Sequence, residues 1–232
     1  MKKGKQRKIP GRKRYALTLM IFLMGLEGLA ALLNYKNQTI YQAQSDLEYW
    51  EGWPKTRVIW EETLGTSWKD RTRLRLHILD GGCALAEYEW NIMEGWYVRD
   101  WMSAENREGW PVQASSTVFS DYYRYYVIGY LTDPKMSPEQ VTFGWAHLED
   151  GKGFVVDPED RVTISPEDCI SDGGITYFVC KFDLSQRLSE EEMDDFGGLY
   201  SSILVQVIDE NGQPILWEDG WGEDFGDWMC IQ

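Results

Sequence analysis

Histidine is almost absent from this chain, with two in 232 residues, His77 and His147. Serine and cysteine nucleophiles are commonly activated by a histidine base, so such a site would have to recruit one of these two. His77 stands among arginines on an alternating stretch and His147 in FGWAHLED, and each reads first as a structural residue. The H-E-x-x-H, G-x-S-x-G, S-x-x-K and phosphate-loop patterns are missing. Cysteine is sparse too. The four, Cys83, Cys169, Cys180 and Cys230, form no C-x-x-C pair, so neither a redox motif nor a ribbon-type zinc site is indicated. No repeat period and no long Pro/Ser linker divides the chain, and residues 50–232 are expected to form one domain.

Basic residues run short after the first 14 positions. MKKGKQRKIPGRKR holds eight of the 23 Lys and Arg and no acid, which leaves 15 basic against 37 acidic residues beyond Leu33. A field of that sign repels nucleic acid and favours cations and basic partners, so nucleic-acid binding is set aside. The basic segment 1–14 is followed by YALTLMIFLMGLEGLAALL, residues 15–33, with Glu27 as its one charge. About 20 apolar residues make a transmembrane helix. Basic flanks stay inside, so the chain after Asn34 is expected outside the membrane, held by a single-pass signal-anchor. The alternative is secretion after signal-peptide cleavage, with small residues at Gly28-Leu29-Ala30. Residues 34–49 would then serve as a stalk continuing the helix, and Asn37-Gln38-Thr39 is a formal glycosylation sequon.

The remainder is mainly β. RTRLRLHIL, residues 71–79, alternates strictly, with Leu74, Leu76 and Ile78 on one face and Arg73, Arg75 and His77 on the other, as a half-buried strand does. CALAEYEWNI follows a Gly-Gly break, with Ala84, Ala86, Tyr88 and Trp90 sharing a face. YYRYYVIGYLTD (122–133) and ITYFVCKFDL (175–184) are the densest in aromatic and branched residues, and Tyr123, Tyr125 and Tyr177 are expected in the core. Asn211-Gly212 reads as a hairpin turn, and Ser189 with Glu192 as the cap of a short helix. Nine or ten strands with few helices between them predict an antiparallel β-sandwich, immunoglobulin-like or similar, over residues 50–232; a small barrel is the alternative.

Four cysteines in an exported domain predict disulfides, Cys169 with Cys180 and Cys83 with Cys230; four buried thiols are the competing reading. Acid clusters with glycine, DPEDRVTISPEDCISDGG and WEDGWGEDFGDW, offer oxygen ligands for calcium at Asp168, Asp172, Asp219, Glu223 and Asp224, although neither has the spacing of an EF-hand loop. Twelve Trp and 13 Tyr are the other resource. Exposed rings stack on sugars, whereas buried ones fill a core. Trp53, Trp68, Trp101 and Trp110 lie in loop-like stretches, and Trp217, Trp221, Phe225 and Trp228 recur at near-helical spacing. Gly220, Gly222 and Gly226 each cost about 1 kcal/mol in a helix, so this stretch is expected as a flap folded over the domain, or else as a tail for a basic partner. Trp53, Trp110 and the 217–228 aromatics are the ligand-binding candidates. The composite expectation is a membrane-anchored, non-enzymatic binding module for a glycan or another envelope protein. An enzyme acting on wall glycans through a carboxylate pair and a regulatory subunit of an envelope complex are the alternatives.

Overall fold

The computed structural model describes residues 11–32, 36–64, 71–119, 124–149, 153–183, 201–215 and 228–231. Among the described residues, two helices, α1 (Gly11–Leu32) and α2 (Ile40–Trp50), precede twelve strands. The strands are β1 (Arg57–Thr63), β2 (Arg71–Leu79), β3 (Gly82–Asn91), β4 (Gly95–Glu105), β5 (Val112–Phe119), β6 (Arg124–Leu131), β7 (Val141–Glu149), β8 (Gly153–Thr163), β9 (Cys169–Asp172), β10 (Ile175–Asp183), β11 (Ser201–Val207) and β12 (Met229–Cys230). They make three four-stranded sheets, all antiparallel in their pairings, ordered β1-β2-β3-β4, β5-β6-β10-β9 and β12-β11-β7-β8.

Alternation along each strand sorts the sheets into layers. Leu74, Leu76, Cys83, Leu85 and Met102 from the first sheet meet Phe119, Tyr126, Ile128, Tyr130, Tyr177 and Val179 of the second. The intervening residues of that second sheet, Val127, Leu131, Phe178, Cys180 and Phe182, meet Val141, Phe143, Ile203, Val205 and Val207 of the third. The second sheet is thus buried on both faces. A strand covered on both sides has no polar face to show, and this is why YYVIGYL in β6 and ITYFVCKF in β10 read as nearly unbroken apolar runs. The mainly β, antiparallel architecture is consistent with the expected β-sandwich, built here from three stacked sheets.

A fourth layer covers the first sheet from outside. Thr39 caps α2, its hydroxyl accepting from the Gln42 amide at 3.3 Å while the Gln42 side chain accepts from the Thr39 amide at 3.0 Å. These reciprocal bonds satisfy donors that open every helix. Ile40, Ala43 and Leu47 then pack on Ala86 and Tyr88. The segment read as a stalk therefore belongs to the folded body from Ile40 onward, because its apolar stripe finds the outer face of β2 and β3. The sequon is closed for the same reason: Asn37 is buried and its amide donates to Asp46 at 3.2 Å.

In α1 the described side chains run from 15 to 29, and Leu17, Leu19, Phe22 and Met24 among them are exposed. Among the described residues, no helix is long and apolar enough to cross a membrane.

The disulfides expected from spacing are not formed. Cys83, Cys169 and Cys180 are free thiols, and burial pushes all three above the ordinary thiol pKa, Cys169 up to about 11. Cys83 lies in the first sheet and Cys230 in a strand of the third, with the second sheet between them. Sheets stack about 10 Å apart, whereas bridged cysteines need Cα atoms within about 7 Å. That pairing is excluded by the layer order.

Candidate functional site

Beneath α2 the sheet carries a buried polar chain. Arg75 and His77, expected on a solvated face, are 4% and 0% exposed because the helix lies over them. Glu48 accepts from the Thr56 hydroxyl at 2.6 Å and from the Thr56 amide at 2.9 Å. That hydroxyl has one proton, given to Glu48, so its 2.8 Å contact with His77 Nδ1 makes the imidazole the donor there. Nε2 is then the acceptor for the Tyr88 hydroxyl at 3.1 Å. The ring is neutral and satisfied at both nitrogens. Burial, then the neighbouring Arg75 charge, lowers its pKa to about 4. Burial alone would raise the Glu48 carboxyl, but the hydrogen bonds from Thr56 and Gln44 hold it below the usual carboxylate range. Arg75 lies over the Tyr41 ring at 5.0 Å and donates to Glu61 at 2.7 Å. This network ties α2 to the sheet.

Beside it, α2 and β4 leave a cleft of about 380 Å³. Its helix wall carries Ala43, Asp46, Leu47 and Trp50, positions spaced three or four apart and therefore on one helix face. Tyr97, Arg99 and Trp101 come from β4. Trp50 is 70% exposed, so a broad apolar ring faces water at the rim. Lys36 pairs with Asp46 at 3.3 Å and sits 5.8 Å from the Trp50 ring. Burial, and then the adjacent Glu89, push the Tyr97 phenol up to about 12, so it remains a donor at neutral pH. Flat rings, carboxylates, an amide and cations thus share one concave surface, the equipment for a polar ligand with an apolar face.

The candidates from sequence fare unevenly. Trp53 is half-buried and set edge-on against Trp101 at 5.0 Å, as a support under the cleft rather than a free ring. Trp110 is half-buried below Arg107, whose guanidinium is 4.8 Å away. Gln113 clamps that loop by donating to the Arg107 and Trp110 carbonyls at 2.7 and 3.1 Å. Trp90 lies half-buried beneath Arg71. Trp68, Tyr123, the Ser189–Glu192 cap, Trp217, Trp221, Phe225, Asp219, Glu223 and Asp224 lie outside the described residues. Asp168 closes a capping box with Ser165, and Asp172 pairs with Arg57, so each carboxylate serves a local contact. Among the described residues no cluster of three or more His, Cys, Asp or Glu has metal-site geometry. Trp50, Asp46 and Tyr97 were missed; the Thr39/Gln42 capping pair upstream was the available signal that a packed helix begins there.

Trp228 folds back onto Ala146, Val156 and Leu204 on the outer face of the third sheet. Arg161 lies 5.5 Å above its ring, and a Cβ on Gly144 would come within 3.0 Å of it. Removing this half-buried ring should cost about 2 kcal/mol. A Trp228→Ala variant is therefore expected to unfold at a lower urea midpoint, and an unmoved midpoint would refute the flap at this position. Comparison with family models, curated proteins and solved structures returns no match for this chain.

Proposed function

We propose that this protein is a membrane-anchored binding module whose α2–β4 cleft takes a glycan, with the Trp50 and Tyr97 rings as stacking surfaces and Asp46 as a hydroxyl acceptor. The observation that carries the reading is the cleft, where an exposed Trp stands beside charged and amide groups on a preformed surface. The anchor is supported by the apolar residues 15–33 behind a strongly basic segment, and by the exposed apolar side chains of α1. The ladders of the three sheets and the Thr39 cap prearrange the walls, so ligand binding orders little new structure and keeps its affinity.

Titrating the full chain in detergent micelles with a panel of soluble oligosaccharides is expected to shift its tryptophan emission. Trp50→Ala should weaken that binding about tenfold, equivalent to about 1.4 kcal/mol. Because Trp50 is largely exposed, the variant should keep the wild-type melting temperature. A panel that leaves the emission unmoved, or a Trp50→Ala protein that binds as well as wild type, would exclude the cleft as a glycan site.

A further inference from the structure

The hairpin joining β3 to β4 carries two apolar tips, Ile92 and Met93, 54% and 64% exposed. Its backbone is held from within: the Asn91 side-chain oxygen accepts from the Met93 and Glu94 amides at 2.9 and 2.8 Å. The two side chains are thus presented on a rigid turn. Behind them, Trp90 and Trp96 face each other across the ladder, and Arg71 lies over the Trp90 ring at 5.7 Å.

Chain connectivity decides where this turn can be. Asn37 bridges to Gly95 at the base of the hairpin, and the Trp96 amide donates to the Asn37 carbonyl at 2.9 Å. Only four residues, 33–36, lie between Leu32, the last of α1, and Asn37. Fully extended, the five Cα–Cα steps from Leu32 to Asn37 span about 17 Å. The base of the hairpin is therefore tethered close to the end of α1, whatever the orientation of the helix, and the turn lies two to three residues beyond that base.

We propose that the β3–β4 turn is a second membrane contact: Ile92 and Met93 enter the acyl boundary of the bilayer that α1 anchors, with Trp90, Trp96 and Arg71 at head-group depth. Apolar tips insert, while Trp and Arg prefer the boundary between hydrocarbon and water. The turn needs little affinity of its own, because a short tether gives it a high effective concentration at the surface. The contact would fix the domain's tilt and hold the α2–β4 cleft, which shares β4, close to the membrane. This inference rests on the anchoring half of the proposed function.

The test places a photoreactive benzoylphenylalanine at Met93 in the full chain, and in a second protein at Glu210 on the Asn211-Gly212 turn of the third sheet. Both are reconstituted in phosphatidylcholine vesicles, floated, irradiated and weighed for phospholipid adducts. Flotation with adducts at position 93 several times more abundant than at 210 is the expected result. Flotation with equal or no adducts at the two positions overturns the turn contact and leaves the anchor standing. A chain that fails to float overturns both together.

Discussion

Replacing Gly129 with alanine is expected to be among the most destructive single-methyl changes this protein can receive. Gly129 lies in the middle of β6, between Ala114 of β5 and Phe178 of β10, in the sheet buried on both sides. A Cβ there would overlap the Gln113 backbone carbonyl oxygen and come within 2.6 Å of the Phe178 ring and 3.0 Å of the Ala114 Cα. Two of these neighbours are backbone in a hydrogen-bonded ladder and cannot turn aside. Overpacking of a core costs about 1–3 kcal/mol and more where backbone must move, so a loss of about 3 kcal/mol is expected. Gly81→Ala is the contrast. Its φ of +86° is strained for alanine, yet nothing lies within 4 Å of the added methyl, and the cost should stay near 1–2 kcal/mol. Urea unfolding of the two variants beside wild type measures both. Equal midpoints for Gly129→Ala and wild type would contradict the β5-β6-β10 register.

Acid should loosen α2 from its sheet. His77 has a folded pKa of about 4, while an unfolded chain restores the ordinary value of 6.5. Between these values the unfolded chain binds the proton and the folded one does not. Stability is therefore complete above pH 6.5 and falls as pH drops toward 4. The difference is worth about 3 kcal/mol in all. Protonation would place a second charge beside Arg75 and turn the Nε2 acceptor into a donor facing the Tyr88 hydroxyl. Chemical denaturation at pH 7 and at pH 4.5 should show this decline in wild type and a flatter profile in His77→Gln. Parallel profiles would remove His77 as the cause. Imidazole NMR gives a direct reading, since only two histidines contribute signals: a His77 resonance titrating near 6.5 would mean that the network does not close.

The strands were readable where local chemistry was sufficient. RTRLRLHIL occupies β2 over the range its alternation predicts, and Gly81 in the turn after it has the positive φ that glycine supplies. Asn211-Gly212 turns as expected: the Asp209 carboxylate accepts from the Asn211 and Gln213 amides, both at 2.8 Å. Which face of β2 meets water was not readable. Arg73, Arg75 and His77 look solvated in sequence, and two of them are buried only because α2, some thirty residues upstream, lies across them. Trp53 and Trp110 looked like free rings because they stand outside regular patterns, yet Trp101 and Arg107 cover them.

By itself the sequence determined the mainly β class, several of the strands, that they pair antiparallel, where several turns fall, and which motif-based chemistries are missing, while β1, β5 and β9 were not read. Those properties depend on residue period, on backbone preferences of Gly, Asn and Pro, and on composition, all of which act over a few neighbours. The stacking of three sheets, the cover of α2 on the first, the separation of Cys83 from Cys230 and the α2–β4 cleft were decided only by tertiary structure. Each depends on which apolar faces meet, and alternation marks a face as apolar without saying what will cover it.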